Sequence, residues 1–210
     1  MKFIALFAGL PLLAAAAPTQ RALGMPLQGD LCMPFQHDLG TPLQGGDFTA
    51  FAWFEHEPIH PPIQARGLRF WVGGEPATYC PSPPVVHCPP GKVTAFSGGG
   101  YGLSVMVPGG QRVYVSPTGE LGYTQAHSAY IPPGSFLGPF EYTPGIPFGH
   151  YTFNGKGFIA CPNSKEGPTT WKVFAHIPNA IVPTSDIQDC LPFQAVTEIF
   201  GSPPAAWQYT

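Results

Sequence analysis

From about residue 55 onward, short apolar and aromatic runs are broken at close intervals by glycine and proline. That is the pattern of β-strands joined by turns. Gly67-Leu68-Arg69-Phe70-Trp71-Val72 is echoed by Gly110-Gln111-Arg112-Val113-Tyr114-Val115, and more faintly by Gly155-Lys156-Gly157-Phe158-Ile159-Ala160. The intervals are 43 and 45 residues. Each Gly-led run is followed by a second strand candidate: Ala77 to Cys80, Leu121 to Thr124, and Thr169 to Ala175. In the last of these, Trp171, Val173 and Ala175 alternate with Lys172 and Phe174. Hairpins recurring at this period predict an all-β domain with pseudo-threefold hairpin repeats, of β-trefoil-like length. A β-sandwich or closed barrel is the alternative, because Gly-turn-aromatic patterns are common in β proteins.

The repeat makes a prediction about faces. Residues two apart on a strand share one side. Phe70, Val113 and Phe158 should then point with Val72, Val115 and Ala160 into a common core. Trp71, Tyr114 and Ile159 should lie on the opposite face.

The segments before and after this region differ from it. Met1 to Ala17 has an early Lys2, an apolar run from Phe3 to Leu13 and small residues Ala14 to Ala17. This reads as a secretory signal peptide and not a membrane span. Residues 18–54 read as a Pro/Gln-rich repeat arm. In it Met25-Pro26-Leu27-Gln28, Met33-Pro34-Phe35-Gln36 and Thr41-Pro42-Leu43-Gln44 recur with a period of eight residues, which forbids a continuous helix. Residues 55–198 are assigned to the all-β domain. Residues 199–210 read as a C-terminal tail with no hydrophobic anchor.

Composition supports a folded, loop-rich protein. Charged residues are only 10% of the chain, whereas aromatics are 13%. The 28 prolines and 26 glycines leave few helix-length windows, and disordered chains are poor in aromatics. A net charge of −3 supplies no basic surface for nucleic acid.

An exported chain with five cysteines points to disulfides with one left over. Spacing alone leaves the connectivity open. The distribution favours Cys80–Cys88 and Cys161–Cys190, with Cys32 unpaired in the arm, a segment of different character. Each bridge should stabilise the fold by about 2–4 kcal/mol.

Candidate chemistry is thin. His56-Glu57-Pro58-Ile59-His60 spells a zinc-protease motif that works only on a helix, and Pro58, Pro61 and Pro62 forbid one. This stretch is expected to be a loop or edge strand holding no metal. No G-x-S-x-G nucleophile elbow occurs. Gly98 to Gly102 leads into a strand pattern and not a helix, so it reads as a turn and not a phosphate cradle. Glu55, Glu57, Glu120, Glu141, Asp186 and Asp189 offer carboxylate pairs, but their spacing supports no glycosidase assignment. Asp186 to Asp189 reads as a capped turn. Among the aromatics, Trp53, Trp71, Tyr101, Tyr114, Tyr123, Tyr130, Tyr142 and Trp207 could stack on sugar rings, although most strand aromatics are core.

Tyr79-Cys80-Pro81-Ser82-Pro83-Pro84-Val85, Val107-Pro108-Gly109-Gly110-Gln111, Pro117 to Ser128 and Trp171-Lys172-Val173-Phe174-Ala175 resemble a family of small secreted fungal proteins. Its members are of the IgE-binding-protein-like, or phialide cell-wall, type. The likeness covers about residues 55–195, and Gly119 to Ser128 is its most specific part. The resemblance implies a wall-associated or shed structural protein of filamentous ascomycetes, in a family linked to conidial development, allergenicity and elicitation of plant defence. It carries over no catalytic residues. The expectation is therefore a non-enzymatic, secreted cell-wall protein with no cofactor, nucleic-acid or membrane partner. Wall polysaccharide or other wall proteins are its expected partners. The alternative is a lectin-like module that recognises wall polysaccharide through exposed aromatics.

Overall fold

The computed structural model describes residues 46–81, 87–166 and 170–210. The signal segment, nearly all of the arm before residue 46, and Cys32 with its expected unpaired state lie outside the described residues. The strands in chain order are β1 (Phe48–Trp53), β2 (Ile63–Arg66), β3 (Arg69–Val72), β4 (Thr78–Tyr79), β5 (Ala95–Ser97), β6 (Gly102–Leu103) and β7 (Val113–Val115). They continue with β8 (Leu121–Tyr123), β9 (Phe140–Thr143), β10 (Gly149–Phe153), β11 (Phe158–Pro162), β12 (Trp171–Ala175), β13 (Leu191–Ile199) and β14 (Gln208–Tyr209). Two short 3-10 turns complete the regular structure of the described residues. The all-β expectation is met.

Twelve strands form one antiparallel sheet, ordered β6-β5-β1-β13-β11-β12-β3-β8-β7, with β10, β9 and β2 branching off this path. Strand β13 is its spine. One edge pairs with β1 from Gln194 to Ile199. The other edge pairs first with β11 through Leu191 to Phe193, then with β10 through Ala195 to Thr197. Strands β4 and β14 form a separate two-stranded ladder.

The trefoil-like repeat is not what the pairing gives. Strand β3 pairs with β2, β12 and β8; β7 pairs with β8; β11 pairs with β12 and β13. Equivalent hairpins would each fold back on their own following run, but the run after β3 becomes β4 and pairs with the C-terminal β14. The glycines differ as well. Gly67 (φ 62°) and Leu68 (φ 60°) form the two-residue β2–β3 turn, where positive φ matches the twist of the flanking strands. Gly110 instead donates its N–H to the Val107 carbonyl at 3.0 Å in a turn before β7. The ladder is not closed into a barrel.

The assigned boundaries also shift. Strand β1, with Phe48, Ala50 and Ala52 buried, lies within the stretch read as arm, and β14 lies within the stretch read as tail. Both segments owe their place to buried side chains: alternating residues in β1, and Tyr209 in β14.

The core is aromatic. Phe48, Phe70, Phe96, Tyr123, Tyr151 and Phe158 are all 1% exposed or less. Phe96 lies between Phe48 and Phe70, with ring centroids 5.3 Å from each, inside the range where offset aromatic pairs attract. Phe70, Val113, Val115, Phe158 and Ala160 share this cluster, and Val72 packs against it. The inward half of the face expectation therefore holds. Trp71, Tyr114 and Ile159 stand outside this cluster, as expected of the opposite face, but Tyr114 and Ile159 are not available to a ligand: Tyr114 lies over Gly122, and Ile159 enters a second core with Cys161, Phe174, Val182 and Cys190. Both residues are at most 5% exposed. The smaller expectations hold. Gly98–Gly100 is a 3-10 turn leading into a strand, and Asp186 caps the turn Ile187–Asp189 by accepting the Gln188 N–H at 2.9 Å.

Candidate functional site

Strand β1 alternates buried and outward residues until Trp53, its last, stands 41% exposed. Prolines 58, 61 and 62 keep the chain from helix and ladder alike, and 54–61 runs as turn and bend. The loop returns to the sheet where the Ala52 N–H donates to the Pro61 carbonyl at 2.9 Å and Phe51 bridges Pro62. This return brings His60 onto Trp53, with ring centroids 3.8 Å apart and planes 17° from parallel. His60 Nδ1 is buried with no hydrogen-bond partner among the described residues. Stacking, and not hydrogen bonding, therefore fixes the imidazole. One face of Trp53 is covered by His60, and the indole also lines an adjoining hollow.

Two hollows meet along the first residues of β13. The smaller, of about 360 Å³, is lined by Trp53, His176, Phe193 and Gln194 among others. The larger, of about 570 Å³, has a mainly apolar wall that includes Phe54, Ile59, Val72, Trp171 and Leu191. Glu55 and Pro192 belong to both, so the two read as one groove with a shared rim. At its floor Gly157 lies so close to β13 that a Cβ there would meet the Phe193 carbonyl at 2.5 Å. Phe54 packs on Phe193, and Phe193 on Phe158, which ties the groove to the core.

Other candidates fall elsewhere. The Trp71 ring lies between the Arg66 guanidinium at 4.7 Å and Lys172 Nζ at 5.3 Å, and its Nε1 donates to the Arg66 carbonyl. Glu120 joins Arg69 at 2.7 Å and Lys172 at 2.9 Å, so it binds strands together and offers no free acid. Tyr123 is core, Tyr142 stacks on Phe48, and Tyr101 sets its ring edge against Phe140. Tyr130 is 70% exposed and remote in sequence from the groove. Burial raises the phenol pKa of Tyr123, Tyr151 and Tyr209 well above the ordinary value of 10.0. These groups are structural donors and not general acids. Among the described residues Glu55 is the one ionic neighbour of His56, at 3.7 Å, and no cluster of three or more His, Cys, Asp or Glu side chains suited to a metal occurs among them.

Cys80 bonds Cys88 and Cys161 bonds Cys190, as the distribution of cysteines indicated. Phe54, Trp171 and Leu191 were not picked out as groove residues from sequence. Sheet pairing brings their segments together, with β1 beside β13 and β11 between β12 and β13, and no local signal encodes that.

An uncharacterized secreted protein of Arthroderma benhamiae is 49% identical over 156 residues, covering 71% of this chain and 77% of that protein. No solved structure matches the chain. Residues 48–210, which begin at β1 and include β14, match the PhiA-like secreted protein family. The chain belongs to the PhiA-like secreted protein family and is a secreted fungal protein.

Proposed function

We propose that the protein is a non-enzymatic component of the fungal cell wall, held there by wall polysaccharide seated in the groove along the start of β13. The observation that carries this reading is Trp53. It stands 41% exposed at the end of a strand, backed by His60 at 3.8 Å, and lines an open hollow. The apolar face of a pyranose ring suits a rigid, pre-positioned aromatic that lines an open hollow. Trp171 and Phe54 extend the apolar surface into the adjoining hollow. A binding role fits the carboxylates better than hydrolysis does. Glycosidases set one carboxyl apart by burial, whereas the Glu55 side chain is 88% exposed. The resemblance to phialide cell-wall proteins argues for use in conidial development. A fraction shed from the wall would account for recognition by a host as allergen or elicitor.

The test is retention of the purified protein by insoluble chitin, β-glucan and whole fungal wall. Retention that soluble oligosaccharide releases and Trp53→Ala weakens by about tenfold or more is expected. Protein left wholly in the supernatant with every polymer would overturn the reading.

A further inference from the structure

The larger hollow carries carboxylates with no lysine or arginine in its wall. Glu55 and Glu57 both line the larger hollow, and the described residues lining either hollow include no lysine or arginine. The cations on β2, β3 and β12 are committed elsewhere: Arg66 and Lys172 flank Trp71, and Arg69 and Lys172 bind Glu120. Glu55 has one ionic contact, to His56 at 3.7 Å, with both side chains 88% exposed. Such a pair contributes little. Glu57 has no ionic contact among the described residues.

We infer that the ligand of this groove is a cationic amino-sugar polymer, a glucosamine-containing chain in which free ammonium groups alternate with apolar ring faces. The inference rests on the groove being the polysaccharide site. A neutral glucan would use the aromatic wall and offer the carboxylates only hydroxyl donors, leaving their charge unmatched. A glucosamine chain uses both features. Its rings lie on Trp53 and Trp171, its ammonium groups meet Glu55 and Glu57 at the rim, and a cation near an indole face gains further attraction. The two hollows share Glu55 and Pro192, so a chain of several sugars can cross from one to the other. A basic peptide would satisfy the carboxylates, but its flexible side chains match a flat aromatic wall less well than pyranose rings do.

The experiment titrates the secreted protein with four probes, following indole fluorescence and heat. The probes are a glucosamine hexamer, an N-acetylglucosamine hexamer, a laminarin hexamer and a lysine hexamer. The buffer is mildly acidic, above the ordinary carboxylate range and acid enough to protonate glucosamine amines. The glucosamine hexamer is expected to bind at least about tenfold more tightly than the other three, and added salt should narrow that margin by screening. The double variant Glu55→Gln, Glu57→Gln should lose most of the margin, its affinity for the glucosamine hexamer falling towards that for the neutral hexamers. Equal binding of neutral and cationic sugars would overturn the amino-sugar assignment and leave the polysaccharide groove intact. A lysine hexamer binding as well as glucosamine would overturn it in favour of charge alone. Failure of every sugar to bind would sink the groove reading as well.

Discussion

The loop Phe54–Pro61 and the C-terminal stretch Ala205–Thr210 are both short, follow or contain prolines and carry aromatic residues, yet the fold treats them in opposite ways. The C-terminal stretch is stitched in. Tyr209 is 1% exposed, donates its hydroxyl to the Val93 carbonyl at 2.8 Å and accepts the Ala95 N–H at 3.2 Å. Gln111 accepts the Tyr209 N–H at 2.8 Å and donates back to the Tyr209 carbonyl at 2.9 Å. The carbonyl of Thr210 accepts from Gly67 N–H and the Tyr123 hydroxyl. The loop is held mainly at its ends, and Ile59 is left 75% exposed. Aromatic residues whose polar atoms are all answered serve stability. An aromatic with one covered face and one in the groove, such as Trp53, is available to a ligand.

The sharpest way to break this contrast is at Tyr209. Tyr209→Ala removes a fully buried ring and should destabilise by about 3–5 kcal/mol, read as a lower denaturant midpoint. Tyr209→Phe keeps the ring but leaves the Val93 carbonyl and Ala95 N–H unanswered, at about 1–3 kcal/mol. A negligible loss in the alanine variant would mean that the C-terminal stretch is no more integral than the loop.

The two disulfides extend the comparison. Cys161–Cys190 spans 29 residues and lies in the second buried core, whereas Cys80–Cys88 spans 8 and reaches the surface. Chain-entropy reasoning gives about 2–4 kcal/mol for a typical bridge, with the longer loop worth about 1 kcal/mol more than the shorter. Replacing each pair with alanine and comparing thermal midpoints checks the order. The Cys161/Cys190 variant should fall further, since it also opens a buried cluster.

Much of this was legible in the chain, and the missing parts have a common cause. Strand content, the turns at Gly67 and Gly98 and the Asp186 cap follow from local chemistry, and both disulfides from how the cysteines are distributed along the chain. Sheet order does not. The Gly67 and Gly110 runs look alike, but β3, besides its hairpin partner β2, is claimed by β8 and β12, whose sequence positions lie far from it. The alternation of Phe48, Ala50 and Ala52 was present in the sequence. It was hidden by the repeats just before it, which made the whole stretch to residue 54 look like one arm. Of the groove, Trp53 was legible as a candidate, while its backing by His60 depends on how the loop returns.

Alkaline pH probes the buried side of the contrast alone. Burial raises the phenol pKa of Tyr123, Tyr151 and Tyr209 in the folded state. Above the unfolded value of about 10 the unfolded chain loses these protons first, so stability is fully present below that pH and falls as pH rises towards the folded values. Each tyrosine should withdraw up to about 1.4 kcal/mol per pH unit. Melting at stepped pH should be flat near neutrality in this respect and decline above about pH 10. Tyr209→Phe should soften the decline.

Trp53→Ala has the smallest expected effect on the fold and separates the two regions most cleanly. The ring is 41% exposed and its main partner is His60, so its removal should cost only about 0.5–1.5 kcal/mol of stability. Retention on wall polysaccharide should fall by about tenfold or more, since that loss corresponds to only about 1.4 kcal/mol of binding. Trp71→Ala is the matched control. That ring is flanked by Arg66 and Lys172 and its Nε1 is bonded to the Arg66 carbonyl, so the variant should lose more stability and leave retention unchanged. His60→Ala should fall between the two on retention, because it removes the ring that orients Trp53 without removing Trp53 itself. If Trp53→Ala instead destabilised the protein as much as Tyr209→Ala and left retention intact, the loop would be structural and the groove would be no site.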